Sequence, residues 1–203
     1  MKNNLQVISS LLYLQGSQIR DYQTAQVFKD SQSRVKAMAL VHERLYQSSD
    51  LARIDFAGYV QDVTHHLLRS YESSQRNIRL KIEVDPVSLN IDTAIPCALI
   101  VNELVSNSLK YAFLDRRDGE IRIRLTERDA ENLNLIVSDN GVGFPPDFSM
   151  ERTDSLGLQL VHSLTSQLNG TVRCRNNGGA EIDIRFKPVV NESRQSCERV
   201  SHG

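Results

Sequence analysis

Net charge is nearly absent from this chain: 24 Lys and Arg stand against 25 Asp and Glu in 203 residues, a formal balance of −1. That argues against a bulk electrostatic grip on nucleic acid or on an anionic membrane. Long apolar runs are missing as well. The longest, residues 94–101, contains Pro96 and falls far short of the ~20 residues a spanning helix needs, so no membrane segment is expected. The opening Met1-Lys2-Asn3-Asn4 is polar and lacks the apolar core of a secretory signal. Cysteine is scarce. Cys97, Cys174 and Cys197 are an odd number without C-x-x-C spacing, which excludes a disulfide framework or a zinc knuckle and points to a reducing, cytosolic setting. What remains is ordinary globular material, 40% hydrophobic and 24% charged.

The hydrophobic pattern divides the chain into three. In residues 5 to about 29, Leu5, Ile8, Leu12, Ile19 and Tyr22 keep helical spacing, with a second row at Val7, Leu11 and Leu14. Ser31-Gln32-Ser33 offers caps for a second helix, in which Val35, Met38, His42 and Leu45 step by three, four and three. The spacing therefore predicts an antiparallel hairpin over residues 1–50, turning between residues 29 and 33. Its wide apolar rows need a second copy, so a homodimeric four-helix bundle is expected. Past Ser48-Ser49-Asp50, Phe56, Tyr59, Val60, Val63 and Leu67 mark a third helix.

The period then drops to two at Ile78-Leu80-Ile82-Val84, Ile121-Ile123-Leu125, Leu133-Leu135-Val137 and Ile182-Ile184-Phe186, with Val172 and Cys174 on a further strand. Helices over about 93–113 and 158–168 lie between them. The order is no regular βαβ alternation, so residues 51–190 are expected to fold as a two-layer α+β sandwich. Residues 191–203 are polar and aperiodic, a disordered tail.

Three clusters have the makings of a site. On the fourth helix Glu103, Asn107 and Lys110 stand at i, i+4 and i+7, a carboxylate, an amide oxygen and an ammonium on one face, which suits a phosphate-bound Mg²⁺. Taken alone, the stripe reads better as a solvated helix face. After the strand ending at Val137 comes Ser138-Asp139-Asn140-Gly141-Val142-Gly143-Phe144-Pro145. An aspartate at a strand end can accept from an exocyclic amine, although Asp-Asn-Gly is also ordinary hairpin chemistry. In Ser155-Leu156-Gly157-Leu158 a glycine enters a helix, where free N–H groups bind phosphate, or where a helix is simply capped. Residues 144–154 ahead of it look like a lid.

In this order, Asn102-Glu103-Leu104-Val105-Ser106-Asn107-Ser108-Leu109-Lys110-Tyr111-Ala112-Phe113, Asp139-Asn140-Gly141-Val142-Gly143 and Ser155-Leu156-Gly157-Leu158 resemble the N, G1 and G2 boxes of the GHKL ATP-binding superfamily. Lys2-Asn3-Asn4-Leu5-Gln6-Val7-Ile8 resembles the dimerisation helix of sensor histidine kinases, and Val41-His42-Glu43-Arg44-Leu45-Tyr46 resembles their second helix. Three boxes in order behind a matching hairpin are far more specific than any one of them. The resemblance implies ATP and Mg²⁺ as ligands. Asn107 would bind the metal with Glu103 assisting, Lys110 would contact phosphate and Tyr111 would lie near the base. Asp139 would accept the adenine amine, Gly141 and Gly143 would shape that pocket, and Gly157 and Leu158 would close over the phosphates. It also implies a response regulator receiver domain as partner, and a sensory domain outside this chain.

Two departures stand out. The family's phosphoacceptor histidine lies a few residues before Lys-Asn-Asn, and no histidine precedes Lys2. We expect a truncated start, since the helix is otherwise intact; the alternative is an ATP-binding dimeric scaffold that does not phosphorylate itself. A serine kinase of the anti-sigma type shares the boxes but has no use for the hairpin. Gly178-Gly179-Ala180 stands where related folds often place Gly-Thr, removing one hydroxyl. His42 reads as a packed interface residue, and His65 and His66 lack further metal ligands.

Overall fold

The structure, a computed structural model, describes residues 2–47, 54–71, 77–114, 118–129 and 132–188. The expected break at residues 48–50, the tail and Cys197 lie outside the described residues.

Helices α1 (Lys2–Ser17) and α2 (Tyr22–Gln47) form the hairpin. Its turn is not between residues 29 and 33: the helix expected over 5–29 is cut at residues 18–21, and Ser31-Gln32-Ser33 lies inside α2. The cause is the choice of cap. Asp21 Oδ2 accepts from the Thr24 backbone N–H at 2.7 Å and from Thr24 Oγ1 at 2.6 Å, closing the first turn of α2. Ser31 Oγ instead donates to the Val27 carbonyl at 2.9 Å, a bond made within a continuing helix. Gly16 lets the two helices close up, since a Cβ there would stand 3.1 Å from Phe28 Cβ. Apolar phase runs on through Ile19 and Tyr22, which hid the turn from the spacing.

On α1, Val7, Ile8, Leu11 and Leu14 are 57%, 44%, 54% and 56% exposed, an apolar row larger than scattered surface residues account for. The side of α2 away from α1 is covered by the strand Ile54–Asp55 and the helices Phe56–Tyr71 and Ile91–Asn107, which follow it in the chain. There Ala37 and Val41 are buried against a core that includes Phe56 and Tyr59 of α3 (Phe56–Tyr71), whose rings stack at 5.7 Å. Arg44 bonds Asp62 at 2.6 Å, fastening the end of α2 to α3.

After β1 (Ile54–Asp55) and α3 come β2 (Asn77–Val84), β3 (Ser88–Leu89) and α4 (Ile91–Asn107). Then follow β4 (Asp118–Asp129), β5 (Asn132–Asp139), α5 (Leu156–Gln167), β6 (Thr171–Asn176) and β7 (Ala180–Phe186). Short β1 pairs with β3, and the main sheet runs β2-β4-β5-β7-β6, parallel only between β2 and β4. This is the expected α+β, two-layer sandwich. Alternate residues Ile121, Ile123 and Leu125 of β4, and Ile182, Ile184 and Phe186 of β7, are buried toward the helices. The other face carries Arg122 and Arg124, bonded to Glu120 at 2.9 Å and Glu83 at 3.1 Å.

Helix α4 runs through the middle, buried at every position from Thr93 to Ser106 except Ile95, because α2, α3, α5 and the sheet all pack on it. Asn90 caps it, its side chain accepting from the Thr93 N–H at 2.9 Å. Cys97 is buried, and burial, with Glu151 adding to it, pushes the Cys174 thiol up to about 11, so neither thiol is reactive near neutrality.

His66 on α3 is half-buried, and burial first, then Lys36 and Arg69, hold its pKa below the ordinary 6.5. The unfolded chain therefore binds this proton more readily than the folded one. Stability is expected to fall as pH drops below about 6.5 and to level off once the folded state also protonates. Urea melts from pH 8 to 5 on the wild type and His66→Gln check this, the slope across that window being shallower in the variant.

Candidate nucleotide site

The continuous helix expected to about residue 113 gives way to a π-helical turn, Ser108–Ala112. Widening the helix there rotates the residues after Asn107 away from the face they would keep in a regular α-helix. The turn is held by its neighbours: the Ala112 carbonyl accepts from the Val142 N–H at 3.1 Å, and a Cβ on Gly141 would come within 2.2 Å of that oxygen. Glycine at 141 is thus required by the close approach of the Ala112 carbonyl.

Asp139, 8% exposed, ends β5. It is not part of a hairpin turn. Its Oδ1 accepts from the Gly141 N–H at 2.9 Å and the Ala180 N–H at 3.2 Å, and its Oδ2 from Ser108 Oγ at 2.8 Å. Three donors around one carboxylate fix its position. Gly179 lets β7 reach it, for a Cβ there would stand 2.1 Å from the Asp139 carbonyl oxygen, and its φ of 153° lies outside the range common for other residues. The Ala180 side chain lines the cavity beside Asp139, in the place where a threonine hydroxyl was missed.

Above Asp139 is a cavity of about 420 Å³, bounded by Leu104, Val137 and Ile182 from the core, Asn107 at the end of α4, Ser108 and Tyr111 from the π turn, and Leu158 from α5. Its outer wall is the segment after Gly143, where Phe144 and Phe148 stack at 4.3 Å. Asn176 of β6 clamps that wall, accepting from the Phe144 N–H at 2.8 Å and donating to its carbonyl at 3.0 Å. Gly143, at φ 76°, makes the bend that brings them together. An apolar slot with one fixed carboxylate at its end suits a flat heterocycle bearing an amine.

A second cavity, of about 340 Å³, adjoins it, with Asn107, Tyr111 and Ser155 lining both. Its other wall is α2. Glu103 is buried and bidentate with Arg34: Nε donates to Oε1 at 2.9 Å and Nη2 to Oε2 at 2.8 Å. Lys110 Nζ donates to Asp30 Oδ1 at 2.6 Å. Burial of the ammonium works to lower its pKa, but the bond to Asp30 and nearby charges raise it overall, so Lys110 is fully charged. Gly157, in the first turn of α5, lies against the Arg34–Glu103 pair; a Cβ on it would stand 2.6 Å from Glu103 Oε2.

The nine expected residues thus gather around two joined cavities: Asn107, Tyr111, Asp139, Gly143 and Leu158 at the first, and Glu103, Asn107, Lys110, Tyr111 and Gly157 at the second, with Gly141 as support behind. Sequence spacing missed Ser108, adjacent to Asn107 in the same motif. It also missed Asp30 and Arg34, because the misplaced turn put them at a helix start. Among the described residues no cluster of three or more His, Cys, Asp or Glu forms a metal site, and no helix is long and apolar enough to cross a membrane.

Comparison with known proteins bears on the family and the fold. A family model described as histidine kinase matches residues 1–71, and one described as histidine kinase-, DNA gyrase B- and HSP90-like ATPase matches residues 92–190. The sensor histidine kinase PdtaS of Mycobacterium tuberculosis is 34% identical over 198 residues, which is 96% of this chain and 39% of that protein. Blue-light-activated histidine kinase 2 of Erythrobacter litoralis is 26% identical over 193 residues, covering 90% of this chain and 53% of its own length. The chain therefore spans about two fifths of the mycobacterial relative. Among solved structures, the histidine kinase domain of Erythrobacter litoralis EL346 superposes with a TM-score of 0.71 at 19% identity, covering 91% of this chain and 94% of that one, a likeness of fold. Matched by one model over the hairpin and by the other over the ATPase fold, the chain belongs to the histidine kinases and is a catalytic core of that family.

Proposed function

We propose that this chain binds ATP with Mg²⁺ and transfers the γ-phosphoryl to a histidine, from which a receiver-domain aspartate takes it; the family's acceptor position, shortly before Lys-Asn-Asn, has no histidine in this sequence. The observation that carries this reading is Asp139, fixed by three donors at the end of the 420 Å³ slot whose mouth holds Asn107.

In this reading residues 1–50 are the dimerising and phosphotransfer hairpin and residues 51–190 the ATP-binding domain. Asp139 accepts the adenine amine, Gly141 and Gly143 shape the slot, and Tyr111 borders the base. Lys110 meets phosphate, and the first turn of α5, with Gly157 and Leu158, closes over it with free N–H groups. Asn107 would hold Mg²⁺ through its amide oxygen, with Glu103 acting at one remove. The ion, when bound, supplies charge neutralisation along the phosphates. In the transfer the bond from the γ-phosphorus to the β,γ-bridging oxygen breaks and a bond to an imidazole nitrogen forms. ADP leaves and the imidazole proton passes to solvent. The exposed row Val7, Ile8, Leu11 and Leu14 is the face a second copy covers in a four-helix bundle.

The test offers the purified chain γ-labelled Mg·ATP and a hairpin in which a histidine precedes Lys2. Acid-labile, base-stable label on that hairpin is the expected result. Tight ATP binding without label on either partner would favour an ATP-sensing scaffold, and absence of ATP binding would sink the assignment of the slot.

A further inference from the structure

Helix α2 holds α4 and its π turn by three polar links, and all of them fall on the segment assigned to phosphate and metal. Ser33 Oγ donates to Asn102 Oδ1 at 2.9 Å, Arg34 is bidentate on Glu103, and Lys110 is bonded to Asp30. Gln26 Nε2 donates to Asp30 Oδ1 at 2.8 Å, fixing that carboxylate from its own helix. The second cavity contains two cations, Arg34 and Lys110, and two carboxylates, Glu103 and Asp30, each cation already paired. A polyphosphate entering that space meets no free positive charge and must take one from a carboxylate.

The two pairs differ in how easily they yield. Arg34–Glu103 has two parallel bonds and side chains 15% and 7% exposed. Lys110–Asp30 has one bond to a flexible ammonium, with side chains 14% and 25% exposed. Bidentate guanidinium pairs hold their geometry, whereas an ammonium is a point charge that can swing to another anion.

We propose that the Asp30–Lys110 pair is a latch that docks the hairpin on the ATP domain, and that the nucleotide's β- and γ-phosphates open it by displacing Asp30 from Lys110. This rests on Lys110 being the phosphate contact of the proposed function and adds a regulator to that site. Coupling of this kind is reciprocal: whatever factor docking of α2 costs the nucleotide in affinity, the nucleotide costs the docking. A bound triphosphate thus frees the α2 face, and an undocked hairpin binds ATP more tightly.

The experiment uses the full chain, wild type and Asp30→Asn, which keeps the shape and removes the charge. Calorimetric titration is expected to show Mg·ATP bound at least about 5-fold more tightly by the variant, at the lower end of ordinary coupling factors, with AMP unchanged because it carries no β- or γ-phosphate. Amide exchange over residues 22–34 is expected to speed up on adding Mg·ATP to the wild type and to be already fast in Asp30→Asn. Lys110→Met gives a readout independent of nucleotide, fast exchange there with no ATP present. Gln26→Ala, should Asp30→Asn fold poorly, is expected to shift ATP affinity the same way by less.

Equal Mg·ATP affinities in wild type and Asp30→Asn overturn the latch while leaving the nucleotide site standing. An equal gain for AMP and ATP also overturns it, because general loosening rather than phosphate competition then explains the change. If neither protein binds ATP, the site assignment fails and the latch with it.

Discussion

Asp139→Asn is expected to weaken Mg·ATP binding by roughly two orders of magnitude while leaving the fold intact. The carboxylate presents two oxygens to three donors, the Gly141 and Ala180 N–H groups on one and Ser108 Oγ on the other. An asparagine can keep its amide oxygen on the two backbone donors and turn its NH₂ toward Ser108, whose hydroxyl rotates to accept. The local frame therefore survives at a cost of about 1 kcal/mol, or 2–4 °C in Tm for a chain of this size. An adenine amine, by contrast, loses its charged acceptor and meets an NH₂ donor. Hydrogen bonds to charged groups contribute about 1.5–3 kcal/mol, a factor of about 10 to 150, and donor facing donor adds to it. Inosine triphosphate, which carries an oxygen in place of that amine, should suffer far less, so the preference for ATP over ITP collapses. Titration calorimetry on both nucleotides, beside a thermal melt, separates lost recognition from lost structure. An unchanged ATP affinity would mean that the slot holds something other than adenine.

Removing Arg34 is expected to produce the largest loss of stability. Glu103 is 5% exposed, and among the described residues the Asn102 Nδ2 at 3.2 Å is the hydrogen-bond donor left to it without the guanidinium. Breaking a buried pair by deleting one member leaves an uncompensated charge and costs about 3 kcal/mol or more, whereas replacing both members is often neutral. Arg34→Met is therefore expected to lower Tm by about 6–12 °C. Adding Glu103→Gln should recover much of that loss, because the charge that needed the partner is gone. Urea denaturation of the two single variants and the double variant forms the cycle. Additive losses would show that the two side chains stand side by side without stabilising one another.

The sandwich was legible because apolar residues alternate along its strands: Ile121, Ile123 and Leu125, or Ile182, Ile184 and Phe186, all buried, write a period of two directly into the chain. The nucleotide boxes were legible for a related reason. A close approach such as Gly141 on Ala112, or Gly179 on Asp139, admits only one residue type and so leaves a mark in the sequence. The hairpin turn was misplaced because apolar phase carries across it through Ile19 and Tyr22, and the deciding cap is a single aspartate, Asp21, no different in sequence from any other surface aspartate.

By itself the sequence determined the main strands and helices of the sandwich and the presence of an aspartate, an asparagine and glycines in the order of an ATP site. Only the tertiary structure decided what those groups face. Ser108 reached Asp139 through the π turn, at a separation of 31 residues, and Arg34 and Asp30 reached Glu103 and Lys110 across 69 and 80. Local propensity and periodicity act over a few residues, and pairing between charges so far apart along the chain arises only when packing brings two helices into contact. The same lysine that reads as a phosphate ligand in the motif is, in the folded chain, already bonded to the hairpin.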